Sequence, residues 1–179
     1  YGATIHEVVE FYLRRRAAGN FTSLDDLLAE YEKKWVNQGF LSWEHQEARK
    51  TAGRETLTWF WHQEETAGVR PSFVEKDFGF AIGATRVTGR FDRVDEELLG
   101  AAIIDYKTGE VATVKIADDR AHKSLQLKIY ALAWREMTGA LPERLELHFL
   151  ESHTIGRHTP TEADVEEAAA SVKDAAAGI

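Results

Sequence analysis

Gly89-Arg90-Phe91-Asp92 is followed, after a turn, by Ile103-Ile104-Asp105-Tyr106-Lys107-Thr108-Gly109. Both stretches read as extended chain, which places an acid at the end of one strand and an Asp-x-Lys pair on the next. Residues two apart on a strand share a face, so Asp105 and Lys107 point one way. Ala102, Ile104 and Tyr106 point the other way, into a core. Charge in the middle of a buried strand is costly unless it is paired or used. Two carboxylates converging on one spot with an ammonium beside them form the donor set of a divalent-cation site. Hard cations such as Mg²⁺ take oxygen ligands and keep several waters. Such an ion polarises a substrate oxygen and lowers the pKa of a bound water. The lysine either neutralises developing charge or, with its pKa lowered among cations, acts as a base; the sequence leaves both roles open.

Further stretches belong with these. His6 lies in Gly2-Ala3-Thr4-Ile5-His6-Glu7, Arg93-Val94-Asp95 continues the first acid motif, and Gln126-Leu127-Lys128-Ile129-Tyr130 follows the second. Gln126 and Tyr130, at i and i+4, share a helical face. In this order and spacing, over residues 6–130, the four motifs resemble those of the PD-(D/E)xK nuclease superfamily, and within it the RecB-like exonuclease branch. The resemblance implies an α/β fold, a mixed central β-sheet flanked by helices in a restriction-endonuclease-like core, with an N-terminal helical segment. It implies a metal-dependent DNA nuclease, the nuclease part of a DNA-repair helicase–nuclease. In that reading Asp92, Asp105 and Lys107 are catalytic, and His6, Asp92, Asp105 and the Tyr106 backbone carbonyl hold Mg²⁺ or Mn²⁺. An imidazole ligand makes such a site more tolerant of Mn²⁺. Gln126 and Tyr130 are implied to contact DNA or brace the lysine and acid. Glu75 is either a further acid near the metal or a solvent-facing strand residue. Arg90, Arg93 and Lys123 are expected to hold phosphate, with Lys115, Arg120 and Lys128 in the same basic row. The implied partners are DNA, single-stranded by preference, and helicase domains of the same or a partner chain. A catalytically silent DNA-binding module and a stand-alone phage or CRISPR-associated nuclease are the alternatives. Loss of the second Asp or the Lys would mark the silent case, and both are present.

The elements that must position these residues are legible from periodicity. Ile5, Val8, Val9, Tyr12 and Leu13 make one apolar stripe on a helix over 4–16. Ser23 with an acid three residues on predicts a capped helix to about 36, and Ser42 caps another over 43–66 that Gly68 and Pro71 end. Trp59, Phe60 and Trp61 on it are expected to pack rather than stack bases. Residues 72–82, 85–95 and 101–107 read as a three-stranded meander, with turns at 81–83 and 95–100. A helix over 121–138, a strand over 145–150 and a polar helix starting at Thr161 complete the pattern. The helix between the strands at 101–107 and 145–150 allows those two to pair in parallel.

With 179 residues, 44% hydrophobic and 29% charged, the chain has the length and composition of one ordinary globular domain. No run approaches a membrane span and no secretory leader is visible, so a cytoplasmic place is expected, without a membrane partner. Tyr1 in place of a starting Met leads us to expect a piece of a longer polypeptide. Having no cysteine, the chain holds no disulfide and none of the cysteine-ligated iron–sulfur clusters of some RecB-like nucleases. The net charge of −8 opposes DNA, although cations at a carboxylate site reverse the local sign. Weak DNA binding by this piece alone is the expectation.

Overall fold

Local signals set most of the helix ends. The computed structural model describes residues 1–178. Ser23 and Thr161 each close a capping box, with Asp26 and Asp164 as reciprocal acids, and so start α2 (Leu24–Lys34) and α6 (Glu162–Ala177). Ser42 caps α3 (Trp43–Ala67), which Gly68 ends at φ +66°, a conformation that suits glycine. The stripe of α1 (Gly2–Ala17) is buried as its spacing requires. No helix among the described residues is long and apolar enough to cross a membrane.

The strands are β1 (Phe73–Ile82), β2 (Thr85–Glu97), β3 (Gly100–Lys107), β4 (Arg144–Phe149) and β5 (Thr154–His158), side by side in chain order in one sheet. Only β3 and β4 are parallel, joined through α4 (Val114–Lys123) and α5 (Leu125–Thr138). The result is the expected mixed sheet flanked by helices, with a helical segment leading in.

Three details depart from the sequence reading. The helix expected over 121–138 is two helices, broken at Ser124, which is extended and caps α5 with its hydroxyl. Its neighbour α4 is short and strongly polar, which hid it. β2 runs on to Glu97, and the turn is only the Leu98–Leu99 link before Gly100 at φ +141°. β5 was not foreseen, because Thr154–His158 has little apolar alternation and gains its order by pairing with β4.

The helices cover both faces of the sheet. Ile103, Leu145, Leu147 and Phe149 pack with Leu127 and Ala131 of α5 and Val165 of α6. On the other face Ile104 and Tyr106 pack with Ile5, Val9, Leu57 and Phe60. Phe60 is therefore core, Trp61 donates to the Thr22 carbonyl at 2.9 Å, and Trp59 stacks on His153. These aromatics pack, as expected. β2 and β3 pair only from Arg93↔Ile104 towards the Glu97↔Gly100 end; ahead of Arg93, β2 pairs with β1 alone. The carboxyl end of β3 therefore has β4 on one side and an opening on the other.

Helix α4 reaches the sheet edge only because Gly156 of β5 has no side chain: a Cβ there would lie 2.2 Å from the Ala117 carbonyl oxygen. Gly156→Ala should destabilise the fold by about 1–3 kcal/mol or more, the range for overpacking against a part that cannot yield. Urea unfolding of the purified variant measures this, and an unchanged midpoint would refute the close approach.

Candidate active site

Where β2 leaves β3, a side chain takes over the ladder. Asp92 Oδ2 accepts the Tyr106 N–H at 3.0 Å, a donor that would otherwise have no strand partner. This fixes Asp92 beside Asp105 at the mouth of the opening. A cleft of about 630 Å³ follows, lined by His6, Asp92, Asp105, Tyr106, Lys107 and Gln126, with Thr108, Arg120 and Ser124 at its margin. His6 reaches it from the first turns of α1, whose Gly2 packs against Thr108 so closely that a Cβ would come within 3.2 Å of Oγ1.

Four side chains form a closed circuit. Lys107 Nζ donates to Gln126 Oε1 at 2.8 Å, Gln126 Nε2 donates to the Tyr130 hydroxyl at 2.9 Å, and that hydroxyl donates to Asp105 Oδ1 at 3.4 Å. An ion pair of 2.7 Å between Lys107 Nζ and Asp105 Oδ2 closes the loop. Beyond that ion pair, Oδ2 is fully buried and accepts no hydrogen bond among the described residues. Asp105 is 2% exposed, whereas the Lys107 side chain is 40% exposed and reaches the solvent of the cleft. The face-sharing of residues 105 and 107 is thus realised in three dimensions.

Charge is unbalanced here. Burial, and then the negative charge of Asp105, push the Asp92 carboxyl up to about 7, against the lowering by the Tyr106 N–H bond. Burial, with help from Lys107, lowers the His6 imidazole despite the attraction of Asp105. A neutral imidazole offers a lone pair, so His6, Asp92 and Asp105 supply donor chemistry suited to a divalent cation. Asp105 Oδ2, buried with no hydrogen bond and only the Lys107 ion pair, and the like-charged Asp92 beside it are what such an ion would relieve, and in that sense the residues fit one. Among the described residues, however, no three His, Cys, Asp or Glu side chains already stand in one coordination sphere. Lys107 stands against the oxygen that a cation would use.

The other expected residues scatter. Glu75, on β1 opposite the divergence, does not line the cleft; its φ of +51° is the left-handed region, strained for a residue with a Cβ. Burial first, then Glu10, raise its carboxyl, and Asp105 contributes weakly. Arg90 is exposed but tied to Asp77 at 2.7 Å and lies outside the cleft lining. Arg93 corrects the sequence expectation outright. At 2% exposure it lies on the opposite face of the sheet, bound to Glu64 and Asp95 at 2.8 Å each and to the Tyr106 hydroxyl at 3.0 Å, beyond the reach of any phosphate. Strand alternation carries it there, since it is next to Asp92. Lys123 is exposed and paired with Asp119, and Lys128 is buried against Glu167 and Asp164. Of the basic row only Arg120 reaches the cleft margin; Ser124 was missed there, and the helix break it makes was its only signal.

The raised Asp92 pKa has a definite sign. A carboxyl that holds its proton more tightly in the fold than in the unfolded chain stabilises the fold at low pH, and that contribution is lost as pH rises towards about 7. In chelator-treated protein, Asp92→Asn, which can still accept from Tyr106, should raise Tm by about 2–4 °C at pH 8. The gain should vanish near pH 4; a gain that is independent of pH would contradict the burial and the Asp105 repulsion that raise the Asp92 carboxyl.

Among solved structures, one from Eubacterium rectale, provisionally described as an exonuclease, is similar over 94% of this chain with 16% identity and a TM-score of 0.50. The chain spans 63% of that protein's length. The structure of SSO0001 matches over 92% of this chain and 84% of its own, at 15% identity and a TM-score of 0.35. Identities this low speak for the fold alone, and the second match carries no argument. No curated protein matches significantly. The family model of the PD-(D/E)XK nuclease superfamily matches residues 1–179, the whole chain, so the Asp92, Asp105 and Lys107 cleft is that of a member of the PD-(D/E)XK nuclease superfamily.

Proposed function

We propose that this chain is a metal-dependent deoxyribonuclease of the RecB-like type, working as an exonuclease within a DNA-repair helicase–nuclease in the cytoplasm. The observation that carries the reading is the Asp105–Lys107–Gln126–Tyr130 circuit standing beside Asp92 in an open cleft. An architectural module would have no need of a half-exposed lysine braced by Gln126 and Tyr130 and ion-paired to a buried carboxylate oxygen. The exonuclease description of the Eubacterium rectale protein agrees with this assignment.

Asp92, Asp105, His6 and the Tyr106 carbonyl are the groups that would hold Mg²⁺ or Mn²⁺. When bound, such an ion supplies Lewis-acid polarisation of the phosphodiester and a water of lowered pKa. The protein's own part is positioning and charge. Asp92, fixed by the Tyr106 N–H, and Asp105, fixed by Tyr130, keep two carboxylates in place without collapse. Lys107, held by Gln126, presents a cation where negative charge develops on the phosphate, which costs no reorganisation during the reaction. Arg120, which lines the cleft, is the cation that would meet the incoming backbone; Arg90, Arg93, Lys123 and Lys128 are engaged with acids, and Lys115 is exposed outside the cleft lining. In this reading the substrate is a single strand, and a helicase delivering it would offset the poor attraction of a chain with net charge −8.

Incubating the protein with labelled single- and double-stranded DNA, with Mg²⁺ or Mn²⁺ and a chelator control, tests the proposal directly. No cleavage under any of these conditions would end it. Asp105→Ala should lower cleavage by about 10³-fold or more while circular dichroism stays native, the scale for loss of a principal group. Lys107→Ala should lose turnover yet keep metal binding by calorimetry; loss of both would make Lys107 a structural residue. His6→Ala should weaken Mn²⁺ affinity with little change in Tm, because the buried stripe beside it is untouched. An unchanged Mn²⁺ isotherm would return His6 to a packing role.

A further inference from the structure

The contact of Gly156 with Ala117 presses α4 onto β5, and Asp118 Oδ1 fastens it by accepting the Arg157 N–H at 2.8 Å. This brings His122, in the last turn of α4, against His158, the last residue of β5. Their Nδ1 atoms lie 3.3 Å apart, with the two rings edge to face. His158 is mostly buried, and its Nε2 lies 2.8 Å from Asp164 Oδ2. Asp164 is held in turn by the Thr161 N–H at 2.9 Å, by the Thr161 hydroxyl at 3.1 Å and by Lys128 at 3.4 Å. With two donors from Thr161 and the Lys128 ammonium around it, this carboxylate stands as an acceptor towards His158. With Asp164 Oδ2 as acceptor, a neutral His158 carries its proton on Nε2 and leaves the Nδ1 lone pair on the side of His122.

Two imidazole nitrogens at this separation need a proton or a cation between them. A tetrahedral Zn²⁺ with Zn–N bonds of about 2.0–2.1 Å holds adjacent nitrogens about 3.3–3.4 Å apart, which is the observed spacing. A ligating histidine usually gives its other N–H to a carboxylate, and Asp164 already fills that role for His158. We propose that His122 and His158 form a second metal site, separate from the cleft, for a borderline transition ion such as Zn²⁺. Water completes the sphere on the exposed side of His122. Nitrogen donors select against Mg²⁺, which seeks oxygen. The bound ion pins the end of α4 to the sheet edge and, through Asp164, to the start of α6. That corner carries Arg120 and Ser124 to the cleft margin and leads directly into the helix of Gln126 and Tyr130. The site thus steadies the helix that braces Lys107.

Calorimetry and thermal unfolding with Zn²⁺, in an excess of Mg²⁺ that serves the carboxylates of the cleft, test this. The wild-type chain should bind one Zn²⁺ that raises Tm. His122→Ala should weaken that binding by about tenfold or more and abolish the rise, with the metal-free Tm unchanged because the ring is exposed. His122→Gln should do the same, and His6→Ala should leave the event in place. The site is refuted if both His122 variants keep the Zn²⁺ isotherm, if His6→Ala removes it, or if wild type shows no Zn²⁺-dependent rise.

Discussion

The structure around the cleft depends on one substitution of partners: the Asp92 carboxylate takes the Tyr106 N–H that a neighbouring strand would take in an unbroken sheet. Pairing of β2 with β3 stops at Arg93, so β3 keeps β4 but loses its other neighbour just where Asp105 and Lys107 stand. A sheet that opened there without a replacement acceptor would leave a buried backbone donor unpaired, at a cost of about 1–3 kcal/mol. With it, the opening is tolerated and an acid is fixed at its edge in the same stroke. The cleft also falls at the carboxyl ends of the parallel pair β3 and β4, where open sheets commonly bind ligands.

Much of the fold was legible because its signals are local. Capping boxes at Ser23 and Thr161, the Gly68 stop and the stripe on α1 each depend on a few adjacent residues. The failures share a cause too. β5 is ordered by pairing with β4 and by the close approach of Gly156 to Ala117, about forty residues earlier in the chain, and neither leaves a period in its own segment. Helix α4 is short and polar, and its placement comes from packing rather than from an apolar stripe.

The site divides in the same way. Strand alternation put Asp105 and Lys107 on one face, and i, i+4 spacing put Gln126 and Tyr130 together, but only the three-dimensional crossing of α5 over β3 joins the two pairs into a circuit. The basic residues show what a count of charges leaves out. Arg90, Lys123 and Lys128 are each matched to acids that lie a helical turn, a strand or a whole element away. Arg93 failed most plainly because the alternation that aims Asp92 into the cleft necessarily turns its neighbour to the opposite face.

That opposite face explains how the opening stays in register. Arg93 joins Glu64 of α3, Asp95 of β2 and the Tyr106 hydroxyl of β3 into one buried cluster, with Glu64 Oε2 left unpartnered within it. Buried ion pairs add little net stability over apolar packing, but losing one member strands the others without compensation. Such a cluster penalises any slip of β3 against β2 or α3, because a shift of one residue would turn the Tyr106 hydroxyl away from Arg93. Tyr106 is thus held at both ends, by Arg93 at its hydroxyl and by Asp92 at its backbone N–H. Asp105 and Lys107, on either side of it, inherit that fixed position. Two strands that part company can still hold two carboxylates at a constant separation, because the residue between Asp105 and Lys107 is locked from behind.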